Sequence, residues 1–151
     1  MLKDHYILDS AGALELDEVP QRLGVIGAGA IGLELGSVWS RLGSQVVLFE
    51  AMQDFLPMVD NKLAALAKRS LKKQSLDMRL KSRLVSAEVK NKKVHVIYED
   101  KTGEKNEVFD KLVIAVGRKP NSDRVCGDEL GIESDERRFA LVKTRCQTRV
   151  P

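Results

Sequence analysis

The 151-residue sequence predicts an α/β fold, a parallel sheet with an antiparallel β-meander in its crossover. Three observations predict it. Two short apolar runs, residues 23–26 (LGVI) and 46–49 (VVLF), flank a segment with apolar residues at helical spacing. Two strand-like runs at residues 84–89 and 94–98, with a return strand at Val108 and Phe109, are joined by turns. A last apolar run, residues 112–116 (LVIAV), then stops at Gly117.

Each element has a local cause. Residues 23–26 suit a strand buried on both faces, halted by glycine. Ile31, Leu35, Val38 and Leu42 recur at helical spacing, so a helix is expected over residues 30–42, with Gly43 ending it. Residues 46–49 form a second buried strand, closed by Glu50, and a loop with Phe55 and Pro57 follows. Asp60 is placed to cap the next helix. Over residues 59–73, Val59, Leu63, Leu66, Ala67 and Leu71 share one arc of a helical wheel, and Lys62, Lys68, Arg69, Lys72 and Lys73 fill the other. The first half thus reads β-α-β-α, which implies parallel strands and right-handed crossovers. The meander turns near Asn91 and at residues 100–103. A short helix is expected over residues 125–130. Residues 1–20 show no element of their own, and the last residues add none, so the sequence reads as a piece of a longer protein.

The length gives one good core. With 43% hydrophobic and 31% charged residues, the composition is that of an ordinary soluble globular protein. The longest uncharged apolar stretch, residues 23–33, is too short to span a bilayer, and no secretory signal is visible, so a cytoplasmic or equally reducing location is expected. Cys126 and Cys146 are far apart, and neither His5 nor His95 is near them in sequence, which argues against a metal site. Between residues 62 and 93 there are eleven Lys or Arg against Asp77 and Glu88. No aromatic residue interrupts them to stack on bases, so a solvated basic helix face is favoured over a nucleic-acid patch.

Five glycines crowd residues 24–36 (GVIGAGAIGLELG), although glycine weakens both helices and strands. Gly27, Gly29 and Gly32 stand in G-x-G-x-x-G spacing, after an expected strand and at the opening of an expected helix. Gly27 would permit the sharp turn, Gly29 the approach of a pyrophosphate, and Gly32 close helix packing. Exposed N–H groups and the helix dipole favour phosphate there. Gly36 could extend the close packing, while Gly24, inside the strand, has no reading at this level. Glu50 ends the second strand 18 residues after Gly32. Its carboxylate can accept hydrogen bonds from both ribose hydroxyls of an adenosine, and it would repel a 2′-phosphate. No Lys or Arg lies between Glu50 and Asn61, so NAD is expected over NADP. The motif alone does not separate NAD from FAD, and S-adenosylmethionine sites share its logic. Together these features describe a Rossmann-like dinucleotide-binding domain.

Residues 19–50 (VPQRLGVIGAGAIGLELGSVWSRLGSQVVLFE) closely resemble the start of the NAD domain of dihydrolipoamide dehydrogenases, a group of flavoprotein disulfide reductases. Residues 9–16 (DSAGALEL) resemble the linker leading from the FAD domain of that family. Residues 110–121 (DKLVIAVGRKPN) resemble its return strand and G-R-x-P-N loop, and residues 148–151 (TRVP) its re-entry into the FAD domain. The resemblance implies residues 1–20 as a linker from an absent FAD domain and residues 21–151 as an NAD-binding domain. It implies a parent oxidoreductase that passes electrons from dihydrolipoamide through a redox disulfide and FAD to NAD. That parent is expected to be a homodimer, with FAD and dimerisation domains, in a 2-oxo acid dehydrogenase complex, and to need neither nucleic acid nor membrane. The C-x-x-x-x-C dithiol, the FAD glycine motif and the His–Glu base are not in these residues, so no catalytic residue is assigned. Alone, the 151 residues are expected to bind NAD without catalysis.

Residue by residue, the resemblance places Gly27, Gly29 and Gly32 at the pyrophosphate, Ala28 and Ala30 among the cofactor-binding residues, and Ile31 on the nicotinamide side. Glu50 falls at the adenosine ribose, Leu84 beside the adenine, and Gly117 at a backbone contact. Glu34 falls where the family pairs a glutamate with a lysine of the FAD domain; its plainer reading is a solvated helix residue. Ala30 departs from the family, several of whose members carry a bulkier residue there. Alternatives are a sister flavoprotein, such as an NADH oxidase or another disulfide reductase, and a free-standing nucleotide-binding module.

Overall fold

The computed structural model describes residues 5–122 and 130–150, which divide into two units, Met1–Val116 and Gly117–Pro151. The first unit holds the sheet expected from the sequence. Strands β1 (Ile7–Leu8), β2 (Arg22–Ile26), β3 (Gln45–Glu50), β4 (Asp77–Leu80) and β8 (Lys111–Ile114) pair in the order β1-β8-β2-β3-β4, every neighbour parallel. Helix α2 (Ala30–Arg41) links β2 to β3, and α3 (Asn61–Lys73) links β3 to β4. Between β4 and β8 run β5 (Arg83–Lys90), β6 (Lys93–Asp100) and β7 (Gly103–Phe109), a separate antiparallel sheet.

Local chemistry accounts for the joints. Gly43, at φ +109, follows α2; its N–H donates to the Ser40 carbonyl while the Ser44 N–H reaches the Trp39 carbonyl. That is the Schellman arrangement, which satisfies the last helical carbonyls. The Asp60 side chain accepts from the N–H groups of Lys62 and Leu63 at the start of α3. Asn91 and Lys92, both at positive φ, make the two-residue turn between β5 and β6.

Side chains on the central strands alternate between two cores. Leu23, Val25, Val46, Leu48 and Val113 meet the helices, with Leu33, Leu35 and Trp39 of α2. Ile26, Val47, Phe49 and Leu112 meet Val94, Val96, Tyr98 and Phe109 of the meander. Coverage of both faces explains why these strands read as unbroken apolar runs. It also explains Gly24, on the meander side of β2. A Cβ there would stand 2.7 Å from Leu112 Cδ1 and 3.2 Å from the Phe109 ring.

Three expectations are corrected. Residues 1–20 do contain regular elements: β1 joins the parallel sheet beside β8, and a short helix α1 (Ser10–Leu14), capped by Asp9, buries Ala13 in the helix-side core. The strand β4 was not anticipated; DMRL is short and mostly polar and holds the sheet edge. Helix α3 docks through Ala64, Ala67 and Leu71, whereas Val59, Leu63 and Leu66 of the expected apolar arc are exposed, Leu63 at 59% and Leu66 at 60%. Small alanines let the helix approach the sheet more closely than leucines would. The helix expected over residues 125–130 lies, apart from Leu130, outside the described residues, as does Cys126.

One carboxylate of the meander is shared by two cations of the parallel sheet. Glu107 of β7 accepts from Arg22 Nη2 at 2.8 Å and from Arg79 Nη1. Arg22 lies 5.0 Å from the Phe109 ring centre, and Arg79 lies 5.5 Å from Phe49 and 5.7 Å from Tyr98. Burial works against the charge of Arg79, but its hydrogen bonds and attraction to Asp77 and Glu107 outweigh that and raise its pKa. Glu107→Ala is expected to lower stability by about 2 kcal/mol, because two partly buried guanidinium groups lose their shared partner. Urea unfolding checks this; a loss below about 0.5 kcal/mol would reduce the shared carboxylate to an ordinary surface pair.

The second unit is mostly irregular. Asp135 organises a turn, its carboxylate accepting from the N–H groups of Arg137 and Phe139, and Ser134 bridges to Ala140. A tight turn with Arg145 and Cys146 at positive φ covers Thr144–Cys146, and Cys146 is exposed.

Candidate dinucleotide site at the β2–α2 turn

The turn between β2 and α2 is built by backbone constraints. Gly27 has φ +100, in the region that favours glycine, and its N–H donates to the Phe49 carbonyl at 2.8 Å. A Cβ on Gly27 would sit 2.5 Å from the Ala115 carbonyl oxygen at the exit of β8. A Cβ on Gly32 would sit 2.0 Å from the Gly27 carbonyl oxygen. The chain itself therefore requires both glycines. Gly29 is different. Its backbone is extended (φ −75, ψ −179), a conformation any residue adopts, and a Cβ there would meet no atom of the described residues, its chain neighbours aside, within 4 Å.

Gly29 is also the N-cap of α2. It offers no side-chain acceptor, and no acidic residue lies in the first turn. Among the described residues, the first N–H groups of this twelve-residue helix have no side-chain partner, and the space beside Gly29 is open. The helix dipole adds partial positive charge at that point.

Glu50, at the end of β3, faces this turn. One carboxylate oxygen accepts from the Ala28 N–H and the other from the Met52 N–H, both at 2.9 Å. The carboxylate is half-buried, and each oxygen keeps a further lone pair for another donor. The structure so brings together Gly27, Ala28, Gly29, Gly32 and Glu50. The Ala28 side chain is buried in the helix-side core, leaving only its backbone at the turn. Ala30 is exposed, and Ile31 is half-buried against the same core. Glu34 is exposed on α2 and has no hydrogen-bond or ion-pair partner among the described residues. Leu84 is half-buried on β5 against the meander-side core, next to a β-bulge. Gly117, at φ +137, opens the second unit.

Sequence reading missed two neighbours of the turn. The exit of β8, at Ala115, walls Gly27. The exit of β4 runs beside Glu50: the Ser82 N–H donates to the Glu50 carbonyl at 2.9 Å, and the Lys81 N–H to the Met52 carbonyl at 3.1 Å. Recognising β4 would have been needed to find the second. A polar cavity of about 480 Å³, lined by Arg22, Ser40, Gln45, Gln74, Asp77 and Arg79, opens at the other ends of the strands. Ligands of open parallel sheets bind at the carboxyl ends, so this cavity lies at the wrong end of the sheet for a dinucleotide. Among the described residues, no three His, Cys, Asp or Glu cluster as metal ligands, and no helix is long and apolar enough to cross a membrane.

Comparison with known proteins agrees with the fold. A family model described as pyridine nucleotide-disulphide oxidoreductase matches residues 2–151. The chain belongs to this family of oxidoreductases. Among its pyridine nucleotide-disulphide oxidoreductase relatives, a dihydrolipoyl dehydrogenase of Cupriavidus necator is 43% identical over 146 residues, covering 96% of this chain and 31% of the relative. A dihydrolipoyl dehydrogenase of Thermus scotoductus is 41% identical over 148 residues, covering 96% of this chain and 32% of the relative. The solved structure of the HOCl-induced flavoprotein disulfide reductase RclA from Escherichia coli superposes with a TM-score of 0.82 at 31% identity, covering 95% of this chain and 32% of that one. The chain thus spans about a third of the length of these relatives. The resemblance to flavoprotein disulfide reductases and the Rossmann-like fold are both shown.

Proposed function

We propose that residues 21–151 are the NAD(H)-binding part of a dihydrolipoamide dehydrogenase-like enzyme, and that residues 1–20 connect it to an FAD domain. The observation that carries this reading is the open space at Gly29. The fold has no need of glycine there, whereas a pyrophosphate lying against the backbone does. The uncapped N–H groups of α2 and its dipole would hold the phosphates. Glu50, already fixed by Ala28 and Met52, would accept from the two ribose hydroxyls. Ala28 and Ala30 flank the phosphates, Ile31 lies towards the nicotinamide, and Leu84 towards the adenine.

When bound, the nicotinamide supplies a two-electron hydride acceptor. The chain's own contribution is to bind and orient it; Glu34 serves as a docking charge for a lysine of the FAD domain. The dithiol and base lie outside these residues, so the 151-residue chain binds NAD without catalysis. In the whole protein, electrons run from dihydrolipoamide through a disulfide and FAD to NAD, in a homodimer within a 2-oxo acid dehydrogenase complex. A cytoplasmic setting belongs to the same reading. The likeness to RclA supports a second reading, the NAD part of another flavoprotein disulfide reductase.

Fluorescence titration tests the binding claim. NADH is expected to bind more tightly than NADPH; equal affinity would remove the role of Glu50. Glu50→Ala is expected to weaken NADH binding by about 1–3 kcal/mol through loss of charge-assisted hydrogen bonds.

A further inference from the structure

Along the chain, no cation closely follows Glu50. Residues 51–60 lack Lys and Arg, but the fold adds a second segment to the same place. Strands β3 and β4 are parallel neighbours, with Glu50 opposite Leu80. Their exits stay joined, because the N–H of Ser82 donates to the Glu50 carbonyl and that of Lys81 to the Met52 carbonyl. Lys81 is therefore the cation that leaves β4 directly beside the segment carrying the Glu50 carboxylate. It is exposed and has no hydrogen-bond or ion-pair partner for its ammonium among the described residues. The basic residue within β4, Arg79, is committed to Asp77, Glu107 and Tyr98.

We propose that Lys81 is a latent cation for a 2′-phosphorylated adenosine ribose, and that selection of NAD over NADP rests on the Glu50 carboxylate, not on a shortage of positive charge. This deepens the NAD(H) reading above and rests on it. A lysine on its flexible stem is a mobile point charge, able to meet a phosphate without a preformed fork. With Glu50 present, a 2′-phosphate meets a carboxylate at close range, and that repulsion outweighs one exposed ammonium. With the carboxylate removed, the Lys81 ammonium on the adjoining strand exit is opposed by no charge on Glu50, and a charge-assisted hydrogen bond to phosphate becomes available.

The test titrates NADH and NADPH, at low ionic strength, into the unaltered chain, Glu50→Gln, and Glu50→Gln combined with Lys81→Ala. Glutamine keeps one acceptor for the Ala28 or Met52 N–H. Thermal unfolding monitors folding, and Glu50→Ser with the same Lys81 pair replaces it if glutamine destabilises the turn. The single variant is expected to gain about tenfold in NADPH affinity over the unaltered chain, and the double variant to lose that gain. NADH affinity should differ by no more than about twofold between single and double variants. The NADPH gain should also shrink as salt is raised, as expected of an exposed ion contact. Equal NADPH affinity in the single and double variants, or no gain in the single variant, would overturn the role of Lys81 while NADH binding stands. Failure of the unaltered chain to bind NADH would instead overturn the NAD(H) reading itself.

Discussion

Gly29→Val is expected to abolish NADH binding while leaving stability within about 1 kcal/mol of the unaltered chain. The two halves of this result have separate causes. Stability is spared because the Gly29 backbone is extended and its Cβ would meet no atom of the described residues, its chain neighbours aside, within 4 Å. Binding is lost because the branched side chain occupies the space over the helix N-terminus that the pyrophosphate needs. Titration should show at least about a hundredfold weaker NADH binding, beside an unchanged urea midpoint. A variant that still binds would mean the space at Gly29 is not the phosphate site.

Gly32→Ala is expected to show the opposite order of effects. Its Cβ would lie 2.0 Å from the Gly27 carbonyl oxygen, a backbone atom that cannot rotate away. Gly27 is itself fixed by its hydrogen bond to Phe49 and by the wall at Ala115. Relief requires α2 to move off β2, opening the core built on Leu33, Leu35 and Trp39. The loss should reach about 3 kcal/mol or more, the upper range for overpacking, with binding falling as a consequence. Unfolding by urea or heat measures it. A loss below about 1 kcal/mol would show that the helix tolerates a wider separation. An added side chain thus separates a glycine the fold requires from a glycine it does not, although the two stand three positions apart in one motif.

The sequence makes the β2-α2-β3 unit legible because its signals are local. Gly27, Gly43 and Asp60 act on their own neighbours, and unbroken apolar runs report a sheet covered on both faces. The meander is legible for the same reason, through turns at Asn91 and Gly103. What stayed hidden depends on tertiary pairing. Strand β4 is a polar edge that exists only because β3 offers a partner, and β1 is two residues held by β8. The docking face of α3 was misjudged because leucine is a stronger hydrophobic signal than alanine, yet the close approach favoured Ala64 and Ala67. The Glu50 carboxylate was located from its spacing, but its hydrogen bonds to Ala28 and Met52, and the arrival of Lys81 beside it, follow from strands meeting in space.

The vacancy at Gly24 has one more consequence, for how β2 finds its alignment. A slip of one position along β3 and β8 would exchange the inward and outward sets of the strand. For most central strands of a doubly covered sheet such a slip is weakly punished, since both faces are apolar. Here it would drive the side chain of Leu23 or Val25 into the place where even a Cβ meets Leu112 at 2.7 Å, and leave the helices facing a hole. Gly24 therefore works as an alignment key, cut to fit one tooth of the meander side. By fixing where β2 ends, it fixes where Gly27 turns and where Gly29 comes to rest.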